Sequence, residues 1–360
     1  MGSGLYGPRR RQMKTIVCRG YGGIADAAVE TLEPPPMPPG GVRIAVHAAC
    51  ASFASLLVMQ GKHQNRAEPP FTPGTEVAGV VMEVAPGVTL FKPGDRVAAA
   101  VRSGGYADEV AASTDTVFHL PDGISFEAGS QFPSVYGTAF AGLAWRARVR
   151  DGETVLVHGA AGGSGVAAVQ IAKALGARVI ASAGSAKKLA AARADGADET
   201  LNHRDGALRD QVLALTAGRG VDVVYDPVGG EMFTESLRCM APEGRLVSVG
   251  FAAGSIPEVP ANILLVKNLD VIGLYWGHYL NWGRQPAGQR LLDQVREAFS
   301  TMFDWALDGK LAPRTYRSFP LEEFAAALDL ISSREVIGRV VFLPRAGQHL
   351  STIRCSHPMG

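Results

Sequence analysis

Cysteine is scarce and scattered in this 360-residue chain. The four present, Cys18, Cys50, Cys239 and Cys355, lie too far apart in sequence to form a metal knuckle. That spacing excludes a clustered-thiolate zinc lobe and argues against a disulfide framework, so a reducing compartment, the cytoplasm, is expected. There is no apolar run of the ~18 residues a membrane span needs. Net charge is nearly absent as well: 35 basic residues face 34 acidic ones, for a formal charge of +1. Without a global field the chain is not expected to seek nucleic acid or an anionic membrane surface. Residues 1–12, MGSGLYGPRRRQ, lack the hydrophobic centre of a secretory signal, and Tyr6 stands where a myristoylation motif wants Ser or Thr. They read as a flexible extension, as does the polar tail at 345–360.

Glycine is in excess, with 43 residues in 360, against a usual share of ~7%. Such a chain makes many tight turns and lets other groups approach its backbone closely. With 47% hydrophobic residues there is apolar material for two cores, as the length also suggests.

The texture changes along the chain. From Met13, MKTIVCRGY reads as a strand; the proline-rich PPPMPPGG (Pro34 to Gly41) is a rigid break, and GVRIAVHAAC is a second strand. Short Val-rich runs cut by PGT, APG and KPGD continue to Ala112, the signature of a β-rich, barrel-like unit. FEAGSQFPSVYGTAFAGLAWRARV then shows helical spacing. From Glu153 to about Trp276, strands alternate with amphipathic helices, which predicts a doubly wound parallel sheet. The fold class expected is therefore α/β, with a second, β-rich domain. GRVVFLP (Gly338 to Pro344) is a final strand.

The strongest local signal is a strand, TVLVHG, a turn, AAGGSG, and a helix, VAAVQIAKALG. Ala161, Gly162, Gly163, Ser164 and Gly165 fall where strand meets helix. Small residues there admit a pyrophosphate to the backbone, and the helix start offers free N–H groups and partial positive charge. A valine at Gly163 is expected to fill the pyrophosphate's place. A glycine-rich turn that binds nothing is the plainer alternative. Roughly twenty residues on, an NAD site places Asp or Glu against the ribose 2′-hydroxyl. This chain has Gly184 and Ser185 there, followed by Lys187 and Lys188. A hydroxyl and an ammonium suit a 2′-phosphate, which predicts NADPH over NADH, with Ser185 and Lys188 as contacts. His203 and Arg334 are further candidates for that contact.

PGTEVAGVVMEVAPGV, FKPGDRV, YGTAF, HGAAGGSG, DPVGG, GRLVSVGF and NLDVIGLYWG occur in that order. In combination they resemble the zinc-free quinone oxidoreductase branch of the medium-chain dehydrogenase/reductase superfamily, from about Met13 to Pro344. The resemblance implies a GroES-like catalytic domain at 13–133, completed by 277–344, and a Rossmann NADPH-binding domain at 134–276. It also implies a homodimer joined near DVIGLYW. Zinc-dependent relatives carry ligands where this chain has Ser52, Thr75 and the Pro133–Ser134 region, so no metal is expected. Without a Lewis acid, a conjugated acceptor is the tractable substrate, because hydride addition gives a delocalised anion. Quinone reductases carry Asn and Asp where this chain has Ser52 and Ser55, and tyrosines near Leu57 and His63. Ser52, Ser55, His63, Tyr136, Tyr275 and Trp276 are the candidates for the substrate pocket, with the proton donor left open among Ser52, a backbone N–H and water. Thr138, Gly250, Phe251 and Tyr275 match segments beside the nicotinamide. Glu76, Asp95 and Asp226 read as structural. The alternatives are an enoyl-thioester or 2-alkenal reductase, and a non-catalytic NADPH-binding sensor or crystallin-like protein.

Overall fold

The structure, a computed structural model, describes residues 11–63, 66–283 and 288–345. The first strands, β1 (Met13–Cys18) and β2 (Ala27–Leu32), form an antiparallel pair. Next come β3 (Gly41–Ala51), β4 (Glu76–Val84), β5 (Arg96–Ala100), β6 (Glu109–Ser113) and β7 (Val117–His119). A second series is β8 (Thr154–Val157), β9 (Arg178–Ala183), β10 (Glu199–Asn202), β11 (Val221–Asp226), β12 (Met240–Ser248) and β13 (Asp270–Gly273). The chain closes with β14 (Thr315–Phe319) and β15 (Arg339–Phe342).

The second series forms a parallel sheet in the order β10-β9-β8-β11-β12-β13. Counted from its first strand that is 3-2-1-4-5-6, the order of a dinucleotide-binding fold, and the direction of winding reverses between β8 and β11. The central strands carry apolar residues on both faces, as a sheet covered by helices on both sides requires. Val155, Val157, Val223 and Tyr225 face one core, and Leu156 and Val224 face the other.

The remaining long sheet runs β14-β15-β3-β4-β5-β7, with β6 also on β3. β3 is long enough to serve three partners. Its first half pairs with β6, its last residues pair with β15, and β4 runs along its other side. Its interior core holds Val42, Ile44, Val46, Val77 and Phe342. β15 comes from the far end of the chain, so the β-rich unit is completed by C-terminal residues. β14 has no counterpart in the sequence reading, because TYRSF alternates poorly and sits on a sheet edge.

The segment read as helical between the sheets is helical in short pieces: Phe126–Gly129, a wide turn at Phe132–Tyr136, Gly137–Phe140, and a second wide turn at Ala141–Arg146. Pro133 has no N–H to give, which favours the wider winding there. The long helix Gln289–Leu307 packs Val295, Phe299, Met302 and Phe303 into the core beneath the parallel sheet, and Phe299 stacks on Phe118 of β7.

Most of the two expected flexible extensions lies outside the described residues. At their inner ends Arg11 is held by Glu83 and Glu109, and Arg345 donates to the Asp108 carbonyl. Among the described residues no helix is long and apolar enough to cross a membrane.

Candidate active site

The carboxyl edge of the parallel sheet collects most of the candidate residues. Ala161 to Gly165 follow β8, Ser185 and Lys188 follow β9, His203 follows β10, Gly250 and Phe251 follow β12, and Tyr275 follows β13. Open α/β sheets bind ligands at this edge, beside the switch point.

The glycine loop turns into the helix Gly163–Ala174, whose start has no side-chain cap. Its first N–H groups are therefore available to an anion. The glycines differ in what they do. A Cβ on Gly165 would lie 2.1 Å from the Gly159 oxygen and 2.6 Å from Cα of Ala160, so this residue lets helix and strand pack. A Cβ on Gly163 would lie 2.2 Å from Cδ of Arg339. Crowding at Gly163 therefore includes the Arg339 stem, which the sequence did not reveal. Gly162 is the open position, its nearest neighbour at 3.4 Å. Ser164 shares a 2.9 Å hydrogen bond with the Tyr225 hydroxyl.

Ser185 caps the helix Ala186–Ala194, accepting from the Lys188 N–H at 3.4 Å. This leaves its hydroxyl proton for another partner. Nζ of Lys188 donates to the Arg334 carbonyl at 2.5 Å. A Cβ on Gly184 would meet Nε of Arg204 and Nε2 of His203, each at 3.0 Å. Arg204 is absent from the sequence candidates, because it follows a weak, polar strand whose end is hard to fix. Arg204 and His203 therefore border the place where an NAD site has a carboxylate, with Lys188 close enough for its charge to act on His203. Burial holds His203 below its ordinary pKa, and the charges of Arg204 and Lys188 push it the same way. The guanidinium of Arg334 donates to the Ala252 carbonyl at 3.1 Å and ties two loops together, while its own carbonyl receives the Lys188 ammonium.

Two expected pocket residues are core residues. Tyr136 is 1% exposed, stacks on Phe132, and donates its hydroxyl to Gln170 at 2.7 Å. Trp276 is 8% exposed, donates to the Pro133 carbonyl at 2.8 Å, and lies against Gly137, where a Cβ would come within 2.4 Å of its ring. Packing against Tyr279 and Trp145 absorbs the indole. Thr138 is half-buried on Gly137–Phe140, while Phe251 and Tyr275 are exposed at the sheet edge. His63 is half-buried just beyond the helix Phe53–Met59.

Ser52 and Ser55 are brought together. Ser52 caps the helix Phe53–Met59, accepting from the Ser55 N–H at 3.0 Å, and the two hydroxyls are 2.9 Å apart. Tyr106 donates to Ser55 at 2.8 Å, with the Cys50 carbonyl farther off at 3.2 Å. Beside them Arg339 pairs with Glu76, both buried. Burial pushes the Glu76 carboxyl up, and the Arg339 charge pulls it back. The stem of Arg339 lies on Gly163, and Gly338 donates to the Ala161 carbonyl at 2.8 Å. The end of β15 is thus stitched to the glycine loop, and Arg339 joins the two halves of the site. Its Nε has no hydrogen-bond partner. Sequence reading missed Arg339 because a lone Arg opening a strand carries no local signal.

Asp226 ends β11 and accepts from the N–H groups of Val228 and Gly229 at 2.8 and 3.0 Å, which holds the loop beside the switch point. Asp95 caps a turn by accepting from the Lys92 N–H.

Comparison with known proteins matches these two halves separately. Residues 38–122 match the alcohol dehydrogenase GroES-like domain family, and residues 163–295 match the zinc-binding dehydrogenase family. Quinone oxidoreductase-like protein 2 of Bos taurus is 38% identical over 314 residues, covering 87% of this chain and 88% of the relative. The chain belongs to the quinone oxidoreductase branch of the medium-chain dehydrogenases/reductases. In fold, the family member from Escherichia coli, a quinone oxidoreductase solved in complex with NADPH, superposes with a TM-score of 0.82 at 29% identity, covering 92% of this chain and all of that one. The enoyl reductase CurK superposes with a TM-score of 0.81 at 27% identity, over 92% of this chain and 99% of that one. Family membership makes the chain an oxidoreductase with a β-rich GroES-like unit and a dinucleotide-binding sheet, as its motifs implied.

Proposed function

We infer that the chain is an NADPH-dependent, zinc-independent reductase that passes a hydride to a quinone or another conjugated carbonyl. The observation that carries the cofactor choice is the basic cluster of His203 and Arg204 at Gly184, with Lys188 close by, where a carboxylate would mark an NAD site. The family relative bound to NADPH supports the same choice. The site fits the group: an uncapped helix start, an open backbone at Gly162, and an Arg339 Nε without a partner all suit a diphosphate.

NADPH supplies the hydride when bound. The glycine-loop N–H groups and Arg339 hold the diphosphate. Lys188, Arg204 and the Ser185 hydroxyl hold the 2′-phosphate. Thr138, Phe251 and Tyr275 border the nicotinamide end, and the acceptor enters between the sheet edge and Ser52. Positioning is the main contribution, since a near-attack arrangement is worth ~7–11 kcal/mol of barrier. The zinc-ligand positions hold Ser52, Thr75 and Pro133–Ser134, which offer no thiolate or imidazole. This favours acceptors that delocalise the incoming charge. The same reading assigns residues 134–276 to the cofactor domain and 13–133 with 277–344 to the catalytic one. The buried, unpaired cysteines Cys18, Cys50 and Cys239 suit a cytoplasmic setting.

The likeness to an enoyl reductase favours a second reading, reduction of an enoyl thioester or a 2-alkenal. Following NADPH consumption over a panel of quinones, enones and enoyl thioesters decides between them. Fastest turnover of quinones or simple enones supports the proposal. Fastest turnover of crotonyl-thioester supports the second reading, and tight binding with no turnover indicates a sensor or crystallin-like role.

We also assign a homodimer. β13 is the edge of the parallel sheet, and Ile256, Leu265 and Val266 nearby are each 77–78% exposed. An open edge beside exposed apolar side chains suits pairing with a second copy. Sedimentation at micromolar concentration is expected to return the dimer mass; a monomer throughout contradicts the assignment.

A further inference from the structure

We propose that Ser52 is the group that donates a hydrogen bond to the oxyanion formed on the acceptor, and that Ser55 and Tyr106 are positioning residues that aim its proton. This rests on the reductase reading above and deepens it.

Counting protons carries the argument. Each hydroxyl has one proton to give and two lone pairs. Tyr106 is fully buried, and its one proton goes to the nearer of two acceptors, Ser55 Oγ at 2.8 Å, with the Cys50 carbonyl farther off at 3.2 Å. Ser55 Oγ therefore accepts from the phenol. Among the described residues its other hydroxyl contact is Ser52 Oγ at 2.9 Å, so its proton goes there. Ser52 Oγ now accepts twice, from the Ser55 hydroxyl and from the Ser55 N–H at 3.0 Å. Both lone pairs are used. Its own proton has no acceptor within this group and must point away from it.

The end of β3 that leads into Ser52 lies beside the strand that meets the glycine loop. Ser52 follows Ala51, which pairs with Val340, and Val340 adjoins Arg339, whose stem lies against Gly163 of the glycine loop. Ser52 is 8% exposed and Ser55 only 3%, so Ser52 is the member of the chain that reaches solvent or a ligand. A hydrogen-bonded chain polarises its last donor, and a fixed donor needs no reorganisation when charge develops. Burial raises the Tyr106 phenol's pKa, and the hydrogen bond to Ser55 and the opposed charges of Arg339 and Glu76 do not undo it. The hydroxyls therefore keep their protons, and Ser52 acts by donating a hydrogen bond. The proton that finally neutralises the oxyanion comes from water.

The test is kcat for NADPH oxidation by the full chain with an electron-poor quinone and with an enone. Ser52→Asp keeps the helix cap and removes the donor; Ser52→Thr keeps both. Ser52→Asp and Ser52→Ala are expected to lose on the order of 10²-fold in kcat, with the KM for NADPH unchanged and Ser52→Thr close to wild type. The loss should be larger for the enone, whose oxyanion is more basic, because a purely structural defect slows all acceptors alike. Tyr106→Phe and Ser55→Ala should show the same acceptor dependence with a smaller loss. Wild-type turnover with kcat unchanged in Ser52→Asp, or with equal losses for both acceptors, overturns this inference and leaves the reductase reading standing. A wild-type chain that reduces neither acceptor overturns that reading and this inference with it.

Discussion

Arg339→Met is expected to destabilise the protein by about 3–5 kcal/mol, because it strands the Glu76 carboxylate in the core. Glu76 is 1% exposed and one of its carboxylate oxygens already has no partner. Without the guanidinium nothing offsets burial of that charge. The double variant Glu76→Met/Arg339→Met should be more stable than Arg339→Met alone, since removing both charges removes the unpaired one. Urea unfolding of the two variants and the wild type measures this. A single variant as stable as wild type contradicts the buried pair. The same substitution should also weaken NADPH, and NADH equally, because Arg339 sits beside the glycine loop and not beside the 2′-position.

The second large effect separates the cofactors. Lys188→Ala is expected to weaken NADPH binding by about 1.5–3 kcal/mol, the worth of a charge-assisted hydrogen bond. Arg204→Ala should cost a similar amount, and together they should leave little preference between the cofactors. NADH should be nearly indifferent to both, since it has no phosphate for them to hold. Titrating each cofactor against the protein's intrinsic fluorescence gives the two affinities. Equal losses for NADH and NADPH contradict the assignment. Lys188 begins on the Arg334 carbonyl, so its contribution should fall at the lower end of the range.

The sequence made the architecture legible where periodicity and punctuation agree. Alternating strands and helices from Glu153 onward, with a glycine turn between the first strand and helix, leave few options but a parallel wound sheet. The short strands before Ala112 announced the β-rich unit for the same reason. Periodicity does not reveal contacts between distant segments, although the family resemblance implied that 277–344 complete the β-rich unit. That β15 joins β3 depends on residues nearly 300 positions apart, the tie of Gly338 to the glycine loop on residues about 180 apart, and the pairing of Glu76 with Arg339 on residues 263 apart. Glu76 was read as structural from its motif, yet its partner carried no signal.

Side-chain direction was the other blind spot. Tyr136 and Trp276 were pocket candidates, but an aromatic ring serves a core as well as a pocket, and only the burial of each distinguishes the two. Arg334 lies next to the Lys188 ammonium, with its guanidinium on the Ala252 carbonyl. Arg204 has the right charge in the right place, after a polar strand whose end the pattern does not mark. Ser52 and Ser55 were named for positions at which relatives differ. Their shared hydrogen bond, and its support from Tyr106 some fifty residues on, needed the fold to appear.

The central claim is a hydride transfer from NADPH to a conjugated acceptor, and the most direct test is steady-state loss of nicotinamide absorbance with a simple quinone, NADPH and NADH run side by side. The account predicts turnover with both reactants present and a kcat/KM for NADPH well above that for NADH. Equal values for the two cofactors, or a preference for NADH, contradict the basic cluster at Gly184 as a phosphate site. No turnover of any conjugated acceptor contradicts the reductase itself.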